Sequence, residues 1–241
     1  MRQLIFIFFS FFFSLFSFGQ NDSTITEKKK SPIIKTIAIP SVFIASGFAL
    51  NKSQFEKDFT KDIRNQVGNN YENHIDDYIQ YVPIAEMYIA DACGVKAKNH
   101  WFDQTKNLAI SNLVTAIFVH SIKRGMNKTR PSDAPYSFPS GHTATAFTGA
   151  TVLYHEFKES SPILAYSGYA FAGTTGAFRI INHKHWLSDV LAGAGISMLV
   201  TNLVYRIEPL KNFNPFKKNK EISLFPYYDN NETGIFFTKR F

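Results

Sequence analysis

The chain has 241 residues, of which 45% are hydrophobic and 16% aromatic, and this predicts one domain with room for a small appendage. The formal net charge is +7, yet the Lys and Arg residues form no stripe interleaved with aromatic residues, so we expect no nucleic-acid partner. A mean hydropathy of −0.12 argues against a chain that lies wholly within a membrane. The single cysteine, Cys93, excludes an intramolecular disulfide, and its apolar neighbours predict that it packs in the core.

Residues 1–20 have the features of a signal peptide. Arg2 supplies a positive start, an apolar run follows, and small residues lie near its end. An uncleaved signal anchor is the alternative, although the apolar run is short for a full membrane span. Both interpretations direct the chain to the cell envelope. Residues 21–32 are polar and rich in lysine, which predicts a linker.

Two segments of different character follow the linker. Ile33 to Leu50 is apolar, but Pro40 predicts that a helix there is kinked or interrupted. Residues 51–80 are charged and amphipathic, which is typical of a surface or interfacial helix and equally of a packing helix in a soluble bundle. The apolar residues that recur at helical spacing in this segment are Phe55, Phe59 and Ile63.

The second half of the chain predicts an all-α fold. Small residues on its apolar segments would allow neighbouring helix backbones to approach closely. We expect a membrane-embedded helical bundle over residues 33–207, with a motif core at 107–207 and the active site at one end. The four predicted helices are Asn107–Ile122, Thr143–Phe157, Pro162–Phe178 and Ser188–Ile207.

The tail, residues 208–241, differs from the rest of the chain. Its first part is basic, and two short apolar runs then flank a stretch of turn-forming residues. This pattern predicts a short β-hairpin in which Ile222–Phe225 pairs with Ile235–Thr238.

A His and an Asp are spaced one helical turn apart, at His185 and Asp189. Positions i and i+4 share a helix face, so Asp189 can hold one ring nitrogen of His185 while the other faces a substrate. This arrangement activates a histidine as a nucleophile or a base, although such pairs are also common as structural contacts.

The run from Pro139 to His142 precedes a predicted helix. Helix starts carry free backbone N–H groups and a positive dipole end, so they bind anions. Gly141 would let the backbone approach a phosphate, Ser140 would act as cap and donor, and His142 is a candidate acid. An ordinary Ser cap is the alternative interpretation.

Three cations are predicted to lie near these residues, namely Lys123, Arg130 and Arg179. Fixed positive charge stabilises the equatorial oxygens of a phosphoryl group during transfer. Because the flanking helices alternate in direction, all three motifs are expected to meet at the same end of the bundle. The other histidines do not belong to a motif of this kind and are expected to be structural or exposed. They are His74, His100, His120, His155 and His183.

The combined pattern KxxxxxxRP, PSGH and RxxxxxHxxxD resembles the type 2 phosphatidic acid phosphatase (PAP2)/haloperoxidase superfamily. The resemblance implies a helical bundle in which His185 is phosphorylated, Asp189 orients it and His142 protonates the leaving oxygen. It also implies that Lys123, Arg130, Ser140, Gly141 and Arg179 bind the phosphate, with no metal and no cofactor.

Two features depart from the family pattern. Phe178 stands where the third motif usually begins with Ser, so one hydroxyl donor is missing. The loop from Ser132 to Phe138 is also short, which leaves little chain for a specificity lid.

The leading hypothesis is a phosphatase acting on a membrane lipid phosphate or diphosphate, such as phosphatidate, phosphatidylglycerophosphate, undecaprenyl diphosphate or a lipid A phosphate. Basic residues after the last helix place that end in the cytoplasm, so the site would face the periplasm from the inner membrane. The alternatives are a soluble periplasmic acid phosphatase, a vanadium haloperoxidase and an inactive scaffold or lipid binder. The sequence predicts no oligomeric state.

Overall fold

The computed structural model describes residues 33–68, 70–207, 222–229 and 232–239. The predicted signal peptide, the linker and most of the basic tail lie outside the described residues. Within them the chain forms eight helices and two strands. The elements in chain order are α1 Ile33–Leu50, α2 Gln54–Val67, α3 Ile75–Ile79, α4 Val82–Ala92, α5 Trp101–Met126, α6 Gly141–Phe157, α7 Pro162–Ile181, α8 Leu187–Val204, β1 Ile222–Asp229 and β2 Glu232–Lys239.

Helix α6 lies at the centre of the bundle and packs against α7 and α8. At its C-terminal end, Leu153 and Phe157 are fully buried and meet Ala165 of α7. Nearer its N-terminus, Phe147 packs with Ala172 of α7 and Met198 of α8. Removing a side chain of the size of Leu or Phe from water stabilises the fold by about 1.5–3 kcal/mol, so these contacts fix α6 in place.

Small residues bring α1 and α8 close together, as the sequence predicted. A Cβ atom on Gly195 would lie 2.7 Å from the backbone nitrogen of Ile44, and one on Gly47 would lie 2.7 Å from that of Ala192. Neither backbone could accept that contact. Helix α1 runs without interruption through Pro40, so of the expected kink or interruption the interruption is wrong, and Pro40 is buried within the helix.

Helix α2 is amphipathic in an unexpected way. Ser53 caps its N-terminus by accepting a 3.2 Å hydrogen bond from the backbone nitrogen of Glu56. Its buried side chains are Glu56 and Thr60, whereas Phe55 is exposed. The face of α2 that packs on the bundle is therefore polar, and its apolar face lies partly on the surface.

Cys93 does not pack in the core as expected. Helix α4 ends at Ala92, and Cys93 is the residue that caps it. The end of the helix leaves this side chain exposed. An apolar sequence neighbourhood was a poor guide here because the turn, and not the neighbours, sets the direction of the side chain.

Helix α8 is the one helix in the described part of the chain that is long and apolar enough to cross a membrane. Most of it is buried inside the bundle, and the core helix of a soluble protein passes the same test. Residues 36–50 of α1 form a shorter apolar stretch.

The C-terminal strands form the predicted hairpin. Strands β1 and β2 pair antiparallel, from Ile222 opposite Lys239 to Asp229 opposite Glu232. Each strand has eight residues, which makes the hairpin longer than the sequence indicated.

Candidate active site

The three predicted motifs meet at one end of the bundle. The first spans the C-terminus of α5 and the following loop, the second begins α6, and the third joins α7 to α8. Gly193 of α8 permits their contact, because a Cβ atom there would lie 2.6 Å from the carbonyl oxygen of Ser140. The backbone nitrogen of Ser140 in turn donates a 2.9 Å hydrogen bond to the carbonyl oxygen of Asp189.

His185 and Asp189 form a buried pair. Nδ1 of His185 lies 3.2 Å from Oδ2 of Asp189, and both residues are at most 1% exposed. The same carboxylate oxygen accepts hydrogen bonds from the backbone nitrogen of Trp186, at 2.9 Å, and from Oγ of Ser137. With its carboxylate held from several sides, Asp189 can fix the orientation of the His185 ring.

The protonation of His185 follows from this environment. Burial lowers the pKa of His185 to about 4, against the opposing effect of Asp189, and the cations Lys123 and Arg179 add to the lowering. The ring is therefore neutral at pH 7. Because the Asp189 carboxylate accepts from Nδ1, that nitrogen carries the proton and Nε2 keeps a free lone pair.

Ser140 and Gly141 begin α6 as expected. Ser140 is the N-cap, and its Oγ accepts a hydrogen bond from Oγ1 of Thr143 at 2.9 Å. A Cβ atom on Gly141 would meet no heavy atom within 4 Å, so the backbone at this helix start borders open space. An anion can approach the N-terminus of α6 from that side.

The cations Lys123, Arg130 and Arg179 lie close enough to influence one another electrostatically. Burial lowers the pKa of Lys123 to about 8, and the nearby Arg130 adds to this effect. Nζ of Lys123 donates to the carbonyl oxygens of Tyr136 at 2.8 Å and Ser137 at 3.2 Å.

The two guanidinium groups retain unused hydrogen-bond donors. The Nε atoms of Arg130 and Arg179 are buried and have no hydrogen-bond partner among the described residues. Buried donors are normally satisfied, so these two Nε–H groups are available to an acceptor that a ligand brings. A tetrahedral oxyanion supplies acceptors of the kind that a guanidinium group binds best.

A cavity of about 220 Å³ opens beside these groups. Arg130, Arg179 and His142 lie along one part of its lining. Its other lining residues are polar or charged, and they are Glu72, Asn73, His74, Asp76, Asp77, Asn182 and Lys184.

Sequence reasoning missed the acidic residues of α3. Oδ2 of Asp76 accepts a 2.7 Å hydrogen bond from Nη1 of Arg179, and Oδ1 accepts a 2.8 Å bond from Nδ2 of Asn182. Oδ1 of Asp77 lies 3.0 Å from Nε2 of His142. These partners are 65 to 106 residues apart, and no spacing rule relates them.

His142 is thereby held by a carboxylate of its own. Burial and the positive charge of Arg179 lower the pKa of His142, while Asp77 opposes this shift. His142 and Asp77 are both partly exposed, in contrast to the sealed pair of His185 and Asp189.

A second group that sequence reasoning missed lies behind Asp189. Nζ of Lys128 is buried and donates to Oδ1 of Asp189 at 3.1 Å, to Oγ of Ser188 at 2.8 Å and to Oε1 of Glu56 at 2.9 Å. In the sequence Lys128 lies between Lys123 and Arg130, and this position could have identified it as a site residue. Its partner Glu56 is far away in the chain, and no sequence pattern relates the two residues.

The remaining histidines are placed as expected. His120 is exposed, and His155 stacks on Tyr205 with ring centroids 4.3 Å apart. His74 is exposed at the edge of the cavity. Within residues 33–68 and 70–207, no group of three or more His, Cys, Asp or Glu side chains is arranged to hold a metal ion.

Comparison with known proteins agrees with this geometry. Residues 104–213 match the family described as the PAP2 superfamily. A lipid A 1-phosphatase of Porphyromonas gingivalis is 33% identical over 168 residues, which are 69% of this chain and 38% of that protein. The chain thus spans well under half the length of this relative.

A solved structure is similar in fold. A transmembrane PAP2 type phosphatidylglycerolphosphate phosphatase from Bacillus subtilis superposes with a TM-score of 0.54 at 18% identity, covering 75% of this chain and all of that one. LpxE from Aquifex aeolicus gives a TM-score of 0.46 at 22% identity, covering 61% and 94%. The match over residues 104–213 shows that this part of the chain, which carries the ordered motifs, belongs to the PAP2 superfamily.

Proposed function

We propose that the protein is a metal-independent phosphatase that removes a phosphate group from a membrane lipid. The observation that carries this proposal is the pair of buried Nε atoms of Arg130 and Arg179, which have no hydrogen-bond partner among the described residues and lie beside His142, at the end of the bundle that holds the His185–Asp189 pair. Together they provide a site for an oxyanion, a nucleophile and an acid.

The first chemical step transfers the phosphoryl group to His185. Nε2 of His185 attacks phosphorus with its lone pair while Nδ1–H stays hydrogen-bonded to Asp189. The bond from phosphorus to the leaving oxygen breaks, and His142 gives its proton to that oxygen. The product alcohol leaves, and a phosphohistidine remains.

The second step returns the enzyme to its starting state. His142, now neutral, accepts a proton from a water molecule as the water oxygen attacks phosphorus. The N–P bond breaks, and inorganic phosphate departs with its negative charge held by the cations. Lys123, Arg130 and Arg179, with the backbone N–H groups at Gly141, stabilise the equatorial oxygens in both steps.

A lipid substrate is supported by the surface of the helices. Large apolar side chains are more than half exposed on α1 at Ile39 and Val42, and on α5 at Leu113 and Ile117. Large exposed apolar side chains spaced one turn apart on a helix are typical of contact with lipid or protein. Similarity to the lipid A 1-phosphatase of P. gingivalis makes a lipid A type 1-phosphate the first substrate to test.

The same surface supports a membrane location, and a basic chain end after α8 supports a site that faces the periplasm from the inner membrane. Extraction from membranes by detergent but not by a salt wash is the expected result. Release by salt alone would instead favour a soluble periplasmic phosphatase.

The test is phosphate release by the detergent-purified full chain in the presence of EDTA. The panel comprises lipid A 1-phosphate, phosphatidylglycerophosphate, phosphatidate and undecaprenyl diphosphate. We expect His185→Ala to remove activity on every substrate that the parent hydrolyses. His120→Ala is the matched control because His120 is an exposed histidine near the C-terminus of α5 and is not among the residues that line the cavity.

Three results would count against the proposal. Turnover that survives in His185→Ala would exclude this nucleophile, and turnover that EDTA abolishes would exclude metal independence. A parent enzyme inactive on all four lipids but active on soluble phosphate esters would exclude the lipid substrate.

A further inference from the structure

A buried cation and a buried carboxylate lie behind the His185–Asp189 pair, and the family motifs assign a role to neither. Lys128 and Glu56 are 4% and 1% exposed. Burying a single charge is unfavourable, and a pair is retained only where its geometry and further hydrogen bonds are good. The charges here are therefore held in place by a structure built around them.

The contacts of Lys128 account for all three of its N–H donors. Nζ lies 3.1 Å from Oδ1 of Asp189, 2.8 Å from Oγ of Ser188 and 2.9 Å from Oε1 of Glu56. It also lies 5.4 Å from the ring centroid of Trp186, whose backbone nitrogen donates to Asp189. Lys128 thus binds the Asp189 oxygen that is not used by His185.

Glu56 closes the network from α2. Its second oxygen, Oε2, accepts a hydrogen bond of 2.5 Å from Oγ of Ser188, the residue preceding Asp189. Its Oε1 also accepts from the backbone nitrogen of Lys52. The polar face of α2 therefore docks on the start of α8 through Glu56.

We propose that Lys128 and Glu56 are positioning residues that set the orientation of Asp189, and through Asp189 the orientation and proton affinity of His185. The inference rests on the proposed function, since it concerns the same reaction. It extends the site to α2, a helix that none of the three motifs includes.

The charges around His185 determine in which direction its proton affinity should change in each variant. Charged groups from several elements surround His185. They are Asp189, Lys123 from α5, Lys128 and Arg130 from the loop, Arg179 from α7 and, behind Lys128, Glu56 from α2. His142 of α6 lies at the same end of the bundle. Loss of the Lys128 charge makes the surroundings of His185 more negative and stabilises its protonated form. Loss of the Glu56 charge does the opposite.

The experiment compares Lys128→Met and Glu56→Gln in the detergent-purified full chain, with kcat and KM measured against pH. Lys128→Met should lower kcat about ten- to a hundredfold with little change in KM, the size of loss known for outer partners of functional histidines. The acidic limb of the kcat/KM profile should move to higher pH in Lys128→Met and to lower pH in Glu56→Gln.

Two further variants complete the design. Lys128→Arg keeps the charge, so its acidic limb should stay at the pH of the parent even if kcat falls. Lys106→Met is the matched control: its side chain is 7% exposed and pairs with Asp103 at 2.8 Å, but it lies roughly 25 Å along α5 from the site. It should keep the parent profile.

A purely structural role would lower thermal stability and the active fraction without moving the limbs in opposite directions. The proposal would be overturned if the acidic limbs of the kcat/KM profiles of Lys128→Met and Glu56→Gln stayed in place or moved in the same direction. If Lys128→Met does not fold, the shift in Glu56→Gln decides the matter alone. A parent that hydrolyses no lipid phosphate would refute the proposed function instead, which keeps the two failures distinct.

Discussion

The site contains two histidine–carboxylate pairs that differ in almost every physical respect. His185 and Asp189 lie four residues apart and are sealed from solvent, with His185 just before α8 and Asp189 in its first turn. His142 and Asp77 lie 65 residues apart, on α6 and α3, and both remain partly exposed. One pair is a rigid local unit, whereas the other joins two separate parts of the fold.

This difference matches the two tasks in the proposed reaction. A nucleophile needs a fixed ring and a lone pair, and burial keeps His185 neutral for that purpose. An acid has to gain and lose a proton in every cycle, which requires contact with the substrate and water. The exposed pair is thus suited to proton transfer and the buried pair to covalent attack.

The largest expected effect comes from breaking the buried pair. Asp189→Asn keeps the shape of the side chain but removes the carboxylate that holds Nδ1–H, so kcat should fall about 10³–10⁴-fold, as for other catalytic histidines that lose their orienting carboxylate. Phosphate release from the preferred lipid measures the loss. Asp103→Asn, at the other end of α5, is the control and should match the parent. A loss of less than tenfold would contradict the assigned role of Asp189.

The second largest expected effect distinguishes the two histidine–carboxylate pairs by the chemical step that each histidine serves. His142→Ala should lower kcat/KM, which reports the first step alone, about 10²–10⁴-fold on a lipid phosphate, whose alkoxide leaving group needs a proton. The loss in kcat/KM should be less than about tenfold on p-nitrophenyl phosphate, because p-nitrophenolate leaves without one, whereas kcat should fall on both substrates since His142 is also the base of the second step. His185→Ala should remove activity on both substrates. Equal losses in kcat/KM on both substrates in His142→Ala would show that His142 is not the acid.

The smallest expected effect distinguishes the two histidine–carboxylate pairs by the pH dependence of kcat/KM. The nucleophile requires neutral His185, present above its pKa of about 4, and the acid requires protonated His142, present below its lowered pKa. The kcat/KM profile should therefore peak at acidic pH. In Asp77→Asn the carboxylate that raises the pKa of His142 is lost, so the alkaline limb should move to lower pH while the acidic limb stays in place.

The activity lost in Asp77→Asn at the optimum should be only a few-fold, because the Asp77 pair is half in solvent and its charge is screened. A shift of the acidic limb in this variant would mean that the two histidine pairs are coupled, which would contradict their separate tasks.

Local patterns in the sequence predicted one half of the site well. The Ser140 cap depends on neighbours within one turn, and the structure places it as expected. The contact between His185 and Asp189 also forms, but not on one helix face as expected, because α8 begins only at Leu187. The predicted hairpin and the four apolar helices of the second half also form. Of the kink or interruption predicted at Pro40, the interruption does not occur, and α1 packs closely against α8 at this point.

The other half of the site depends on contacts that no local pattern encodes. Asp76, Asp77 and Glu56 lie in a charged segment that resembles an ordinary solvated surface. Their partners Arg179, His142 and Lys128 become apparent only when α2 and α3 pack on the motif end of the bundle.

The sequence by itself determined the motif residues, their order and the helices that carry them, because helical periodicity and capping act over a few residues. Tertiary structure alone decided which charges face one another across the bundle. It sealed His185 with Asp189, left His142 open to the cavity and placed Lys128 between two carboxylates. The physical reason is that the proton affinity of each group depends on burial and on charges that are distant in sequence and close in space.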